Sequence, residues 1–246
     1  MKNLLLILMS MTMVINLTAQ QNSEADHGFK FEQLGTTLPS PNAYRGADGA
    51  PGAQYWQQKV DYVIECTLDT KEQRLDGTEQ ITYTNNAPTT LKYLWLQLDE
   101  NQHDPHKSEV FTFNPSGMGD VMSEAQLRRL EKADEYEKYG CRIDKCIDMN
   151  GQALEYTING TVMRIELPEP LASGATFKFN IDWHYFLTDR MDSGGRGGYE
   201  YFEDNDNYIY TIVQWFPRLC VYSDHLGWQN KQFVGRGEFA LEFGDY

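Results

Sequence analysis

Apolar and polar residues alternate along several segments of the chain, as they do in β-strands that bury one face. The clearest segment is residues 176–184. Its apolar face consists of Phe177, Phe179, Ile181 and Trp183. Residues 60–68 and 73–84 alternate in the same way, and residues 91–98 are almost continuously apolar. The pattern predicts a strand in each of these four segments.

Weaker alternation predicts further strands over residues 142–149, 154–158, 161–167 and 238–243. The dipeptide Asn159-Gly160 between two of them is typical of a tight hairpin turn. We expect Pro168 and Pro170 to end the strand that precedes them, because proline cannot donate a ladder hydrogen bond. The last strand is predicted to place Leu241 and Phe243 on its buried face, with Glu242 on the opposite one.

Residues 208–213 are apolar or aromatic on both faces, which predicts a strand covered on both sides near the middle of the fold. The strand runs into residues 214–218, Gln-Trp-Phe-Pro-Arg, where Pro217 forces an end or a bulge. A polar Gln214 beside aromatic residues at a strand end is a candidate binding surface. The alternative is a core strand with a tight exit, which composition alone favours.

The remaining segments predict loops and one helix. Ser123 and Gln126 have the spacing of a capping box and begin a short charged surface helix that reaches about residue 136. Residues 102–122 and the glycine-rich residues 189–198 are expected to be loops, the second one mobile. Many short strands with one minor helix predict an all-β fold: layered antiparallel or mixed sheets in a saddle-like β-sandwich.

The amino-terminal part of the chain has the layout of a secretory signal peptide over residues 1–19. Lys2 precedes a short apolar run, and the small residue Ala19 marks the expected cleavage site. The run is shorter than the roughly 20 residues of a membrane helix, so we expect an exported soluble protein, periplasmic or extracellular, without a membrane span. Residues 20–56 read as an extended leader and residues 57–246 as one β domain that is incomplete at its carboxyl end.

The 246-residue chain carries 36 acidic and 21 basic residues, a formal net charge of −15. Nucleic acid and anionic membranes require positive charge for binding, so neither is expected as a partner. The four cysteines are Cys66, Cys141, Cys146 and Cys220. In an exported protein they could form two disulfides, and buried free thiols are at least as consistent with the sequence.

The sequence contains no catalytic constellation that can be recognised from spacing. The zinc-peptidase motif His-Glu-x-x-His is absent, as are the Gly-x-Ser-x-Gly elbow and the phosphate-binding glycine loops. His103 and His106 are close in sequence, but Pro105 between them favours a solvated loop over a metal site. His184 is expected to be a satisfied histidine at a sheet edge. The acidic neighbours Glu200 and Glu203, and Asp204 and Asp206, are expected by chance in an acidic chain.

Several ordered segments together resemble the amino-terminal β domain of the aminopeptidase N-like zinc metallopeptidases, the gluzincin family that includes leukotriene hydrolases. The resemblance covers about residues 55–246 and is greatest for exported bacterial members. The segments are Tyr62-x-Ile64, Leu68-Asp69, Leu75-Asp76-Gly77, Ile81-x-Tyr83-x-Asn85, Leu91-x-x-Leu94, Leu96-x-Leu98-x-x-Asn101, Gln214-Trp215-Phe216-Pro217-Arg218, Tyr222-x-Asp224, Gly227-Trp228-Gln229-Asn230 and Gly235-x-Gly237-Glu238-Phe239.

The resemblance implies that the zinc ligands and the catalytic Glu lie in a following domain that this chain does not reach. The chain by itself is therefore expected to bind no zinc, to contain no catalytic residue and to hydrolyse no peptide. In this family a Gln or Glu in the last strand lines the pocket for the first substrate residue and holds its free amino group. By position that residue is Gln214, although the spacing from it to Arg218 is one residue shorter than in many animal members.

Two functions are consistent with these features. The first is the substrate-side domain of an exported zinc aminopeptidase, which meets its peptide substrate together with the missing catalytic domain. The second is a stand-alone secreted β-sandwich module that binds glycan or protein through aromatic residues such as Trp215, Trp228 and Tyr201.

Overall fold

The structure, a computed structural model, describes residues 41–107, 124, 127, 131, 133–193, 196–233 and 240–246. The chain divides into two compact units, residues 1–54 and residues 55–246. In the first unit, Arg45 and Pro51 form an isolated antiparallel bridge. Asn42 Oδ1 accepts hydrogen bonds from the backbone N–H groups of Tyr44 and Arg45, which closes a tight turn.

The second unit is built almost entirely from strands. In chain order, its longer elements are β1 (Lys59–Asp69), β2 (Arg74–Thr84), β3 (Leu91–Gln97), α1 (Ala133–Tyr136), β4 (Arg142–Asp148), β5 (Tyr156–Asn159), β6 (Val162–Leu171) and β7 (Thr176–Phe186). They are followed by α2 (Arg190–Ser193), β8 (Gly198–Phe202), β9 (Asn207–Thr211), β10 (Arg218–Leu219), β11 (Tyr222–Ser223) and β12 (Gly227–Trp228). Short 3₁₀ turns occupy Asp99–His103 and Glu203–Asn205.

Two four-stranded antiparallel sheets form the body of this unit. The first has the spatial order β1-β2-β7-β4 and the second the order β10-β3-β6-β5. Buried side chains of both sheets, among them Ile81 and Trp183 from the first and Leu94 and Ile165 from the second, belong to one hydrophobic cluster. The predicted all-β class of layered antiparallel sheets is confirmed.

The strands with clean alternation were predicted correctly. In β2 the residues Leu75, Glu79, Ile81 and Tyr83 all face the core, because successive side chains alternate between the two faces of a strand. The hairpin between β5 and β6 also lies where it was predicted. Gly160 there has a φ of 58°, a left-handed conformation that glycine adopts without a Cβ penalty.

The prediction that Pro168 and Pro170 end a strand is wrong, since both lie within β6. Tyr93 pairs with Glu166, and Leu91 pairs with Leu171. Between these pairs β3 advances by two residues and β6 by five. The three additional residues form a bulge. Prolines are tolerated there because the bulged stretch donates no ladder hydrogen bond.

The prediction of a core strand over residues 208–213 is wrong. Asn207–Thr211 pairs only with β8, in a two-stranded hairpin outside both main sheets. Ile209 is 53% exposed and Tyr208 is 37% exposed. The apolar character of both faces instead reflects an aromatic ribbon, in which the rings of Tyr201 and Tyr208 lie 4.9 Å apart.

The strand predicted over residues 238–243 also differs from the structure, which describes residues 240–246 of this region. Phe243 makes only an isolated parallel bridge, to Lys59 at the edge of β1. The burial is inverted: Leu241 is 47% and Phe243 64% exposed, whereas Glu242 is 5% exposed. The backbone N–H of Val60 donates to the Phe243 carbonyl over 2.8 Å, so this segment follows the edge of β1.

The remaining predictions have mixed outcomes. The predicted signal peptide lies outside the described residues, and so do Ser123 and Gln126. The charged helix was predicted to end near residue 136, and the structure has α1 and the helical residues 124, 127 and 131 in that region. The expected loop 189–198 contains the short helix α2. None of the helices in the described part of the chain has the length and apolar character that a membrane span requires.

All four cysteines are free thiols, and Cys66 is the one that is exposed. The described chain therefore contains no disulfide between them. Burial, with the Glu79 carboxyl nearby, raises the pKa of Cys146 to about 12. The three buried cysteines thus behave as small apolar core residues.

Asn85 connects the end of β2 to the second sheet. Its Nδ2 donates to the carbonyls of Thr89 (2.8 Å) and Leu171 (3.0 Å), and its Oδ1 accepts from Gln58 Nε2 (3.0 Å). The side chain is completely buried, so all of these hydrogen bonds replace water.

We expect Asn85→Asp to lower the free energy of unfolding by about 3 kcal/mol or more, because a carboxylate would face two carbonyl oxygens without a donor. Urea denaturation measures this change. Asn86→Asp is the matched control, since Asn86 is exposed and donates to the Gln57 carbonyl over 2.8 Å. Equal losses in the two variants would contradict the role assigned to Asn85.

Candidate functional site

The candidate site is the segment of residues 212–217, which joins the aromatic hairpin to β10. Gln214 has a φ of 48°, in the left-handed region that a residue with a Cβ enters at a cost of about 1–2 kcal/mol. The other non-glycine residues with positive φ, within the described ranges, are Gln73 and Asp206, which both lie in turns between strands. Strain of this kind persists only where the surrounding structure holds it.

The side chain of Gln214 is half-buried. Within the described part of the chain its amide makes no hydrogen bond to protein. A half-buried amide has one oxygen acceptor and two N–H donors, which are the groups needed to bind a polar part of a ligand. Gln214 thus lies beyond the end of β9, and its amide has no partner among the described residues.

Two aromatic residues fix the segment immediately after Gln214. The ring of Trp215 lies 6.1 Å from that of Trp183 in β7, and the ring of Phe216 lies 5.4 Å from that of Tyr62 in β1. Trp183 has room for its indole because Gly77 of β2 lies beneath it without a side chain. The aromatic pair therefore anchors the segment to the first sheet.

Arg218 anchors the same segment to the second sheet. Its Nε donates to Gln97 Oε1 over 2.8 Å, and its guanidinium forms a buried ion pair with Asp99. The backbone N–H of Leu219 donates to the Tyr62 hydroxyl over 2.9 Å. Sequence reasoning missed the partners of Arg218. The available signal was a polar Gln97 inside an apolar strand.

Three carboxyl groups of the second unit, those of Asp99, Glu100 and Glu242, have raised pKa values. Burial raises the pKa of Asp99 to about 6, although the Arg218 guanidinium opposes the shift. Burial also raises the pKa of Glu242 to about 7, against the opposing effect of a 2.6 Å hydrogen bond from the backbone N–H of Tyr222. Burial and the neighbouring Asp99 raise the pKa of Glu100 to about 8. Removal from water disfavours each carboxylate, so these groups titrate near neutral pH.

The histidines identified in the sequence lie elsewhere. Burial lowers the pKa of His103 to about 4, so it is neutral at physiological pH. Asp104, expected in a solvated loop, is instead buried, and Arg142 and Lys107 lie 3.1 and 3.3 Å from its Oδ2. His184 is satisfied by Asp144, 2.7 Å away, but it lies in β7 between two strands and not at a sheet edge.

The acidic neighbours are engaged separately. Glu200 forms an ion pair of 2.9 Å with Arg190, and Asp206 accepts a hydrogen bond of 2.9 Å from the Tyr201 hydroxyl. No group of three or more His, Cys, Asp or Glu among the described residues could hold a metal ion. These residues therefore supply no zinc ligand set, and we assign no metal-dependent step to them.

The three aromatic residues considered for a binding module occupy different surroundings. Trp228 packs on Tyr222 with ring centroids 4.9 Å apart, whereas Trp215 packs on the first sheet. Tyr201 lies in the exposed hairpin. Over the described residues no ring contact joins the three, so they do not form one aromatic platform.

Comparison with known proteins shows a partial similarity. No protein-family model and no curated protein matches the chain. A crystal structure of the M1 zinc metallopeptidase E323A mutant from Deinococcus radiodurans, bound to a Tyr-Ser-Ala substrate, is similar at 16% identity and a TM-score of 0.34, over 63% of this chain and 28% of that one. The M1 zinc metallopeptidase from the same organism gives 15% identity and a TM-score of 0.32, over 58% and 23%.

A two-domain M1 zinc metallopeptidase E323A mutant bound to L-tryptophan gives 15% identity and a TM-score of 0.34, over 61% of this chain and 26% of that one. The chain thus spans about a quarter of the length of these enzymes. At these values the functional argument rests on the residues of the chain itself.

Proposed function

We propose that this chain is the amino-terminal, substrate-side β domain of an exported zinc aminopeptidase that removes amino-terminal residues from peptides. Catalysis belongs to a following domain, whose zinc supplies a Lewis acid and an activated water. In this proposal, residues 1–19 direct export and Gln214 contacts the free amino group of the peptide.

One observation carries the proposal: the residue that the family resemblance assigns to the substrate has a strained conformation, and its amide makes no hydrogen bond to the described residues. Strained residues of this kind cluster at binding and catalytic sites. The preceding motifs of the resemblance occupy β1, β2 and β3, which supply Tyr62, Gly77 and Gln97 to the support of this segment.

A second candidate, a secreted binding module, is favoured by the exposed aromatic hairpin. Tyr201 and Phe202 of β8 and Ile209 of β9 are all exposed. Such a module would bind glycan or protein at this hairpin and would need neither zinc nor Gln214.

The proposal predicts the effect of two substitutions in the protein made from the complete reading frame. Gln214→Ala and Gln214→Gly should each lower kcat/KM for peptides by roughly 10- to 100-fold, since a hydrogen bond to a charged amine contributes about 1.5–3 kcal/mol. Gln214→Gly should also stabilise the fold by about 1 kcal/mol by relieving the left-handed conformation. Steady-state kinetics and thermal denaturation measure the two effects.

Gln73→Gly is the matched control, because Gln73 also has a positive φ, 54°, in the turn between β1 and β2. It should gain stability without losing activity. Unchanged kinetics for both Gln214 variants across several peptides would refute the substrate role.

A further inference from the structure

The strained conformation of Gln214 requires a structural cause close to it. The segment has aromatic contacts on one side and a polar anchor on the other. Among the described residues, no backbone N–H from 212 to 217 takes part in a hydrogen bond of the kind that holds turns. The contacts that the structure describes for this segment are made by side chains.

The polar anchor is built from the edge strand β10, its neighbour β3 and the turn that follows β3. In β10, Arg218 pairs in register with Gln97 of β3, and its guanidinium extends to Gln97 and to Asp99 beyond the end of that strand. Arg218 is 8% exposed and Asp99 is 3% exposed. The planar guanidinium thus fixes the direction in which the chain leaves the Gln214 segment.

This ion pair is poorly explained by stability alone. Burying a charged pair carries a desolvation penalty that often exceeds the attraction between the charges, and apolar replacements are often as stable. Asp99 Oδ1 is also buried, without a hydrogen-bond partner among the described residues. In some proteins a buried polar or charged group supplies a defined geometry instead.

We propose that Arg218 and Asp99 are positioning residues, which hold the Gln214 segment so that the Gln214 amide faces the ligand. This inference deepens the proposed function and rests on it for the identity of the ligand, a peptide amino group. Neither residue contacts the substrate. Both act through Gln214.

The first test uses the 246-residue chain labelled with 5-fluorotryptophan and observed by ¹⁹F NMR. The Trp215 resonance is assigned with Trp215→Phe. We expect Arg218→Lys, which keeps the charge but loses the planar fork, to shift or split the Trp215 resonance and leave that of Trp56 in place. Arg164→Lys is the matched control, since Arg164 pairs with Glu166 at a more exposed position of β6.

An unmoved Trp215 resonance in folded Arg218→Lys would overturn the positioning role. If Arg218→Lys does not fold, Gln97→Leu provides the same readout, because it removes only the neutral acceptor of Arg218. A shifted Trp215 resonance supports the role and an unmoved one overturns it.

The second test is a double-mutant cycle in the protein made from the complete reading frame. Arg218→Lys should lower kcat/KM by about 10-fold when Gln214 is present and by less than about twofold in the Gln214→Ala background. If the two substitutions lower kcat/KM independently, so that their effects multiply in the double variant, Arg218 acts without Gln214. Complete absence of aminopeptidase activity in the wild type would instead overturn the proposed function, a result distinct from the ¹⁹F outcome.

Discussion

Replacing Gly77 with alanine is expected to destabilise the β domain by about 3 kcal/mol, because the added methyl group enters a filled core. Gly77 lies opposite Trp183 in the β2–β7 ladder. A Cβ there would overlap the six-membered ring of the Trp183 indole. Because Trp183 is among the largest fully buried side chains, it cannot move without disturbing the core.

The same substitution should disturb the candidate site, because Trp183 supports Trp215. Urea denaturation measures the loss of stability. Gly77→Ala combined with Trp183→Phe should lose less than the sum of the two single changes, since phenylalanine lacks the indole atoms that would overlap the new methyl group. Strictly additive losses would show that a methyl group at residue 77 does not overlap the Trp183 indole.

Replacing Glu79 with methionine is expected to raise the free energy of unfolding by about 1–3 kcal/mol at pH 8. Glu79 is completely buried on the core face of β2, and within the described ranges neither carboxyl oxygen has a hydrogen-bond partner. Burial raises the pKa of Glu79 well above its usual value. Methionine has a similar shape and no polar oxygen to leave unpaired.

The sign of the pH dependence follows from the same burial. A carboxyl group whose pKa is raised on folding contributes stability that is full below its unfolded pKa, near 4.5, and is lost as pH rises through its folded pKa. Glu242, with a pKa of about 7, and Asp99, with one of about 6, act in the same direction. His103 opposes them, since its lowered pKa removes stability as pH falls from 6.5 towards 4.

We therefore expect the free energy of unfolding of the wild type to fall between pH 5 and pH 8. The free energy of unfolding of Glu79→Met should fall less over the same range. Chemical denaturation at several pH values measures both curves. Glu65→Gln, at an exposed position of β1, is the control for the removal of one carboxyl group. A Glu79→Met variant with the wild-type slope would contradict the assignment.

Strands with one buried face could be predicted from sequence because their alternation reports directly on burial. This holds for β7, where Phe179, Ile181 and Trp183 all face the core. Residues 208–213 could not be placed in this way. Apolar residues on both faces show that a segment has apolar contacts, but not whether a central sheet or a separate aromatic hairpin supplies them.

At the end of the described chain, the burial of residues 241–243 is opposite to what their polarity predicts. Glu242 faces inward because the backbone of this segment follows the edge of β1, where the Val60 N–H bonds to Phe243. A long-range pairing therefore overrides the local polarity of residues 241–243. Alternation alone predicts the opposite face, since it carries no information about which edge a segment meets.

The candidate site was predictable only in part. The resemblance singled out Gln214, and its polar character in an aromatic segment was visible in the sequence. The anchor at Arg218 was not, because Asp99 and Gln97 are 119 and 121 residues away in the chain. Neither pattern nor spacing reports on contacts at that separation.

The central claim is that this β domain serves a zinc aminopeptidase whose catalytic domain follows it. Sequencing the reading frame beyond the codon for Tyr246 tests this claim most directly. We expect the frame to continue into a His-Glu-x-x-His motif with a second Glu beyond it, which together supply the zinc ligands and the catalytic base. A stop codon immediately after Tyr246, or a long continuation without that motif, would contradict the account and favour a secreted binding module.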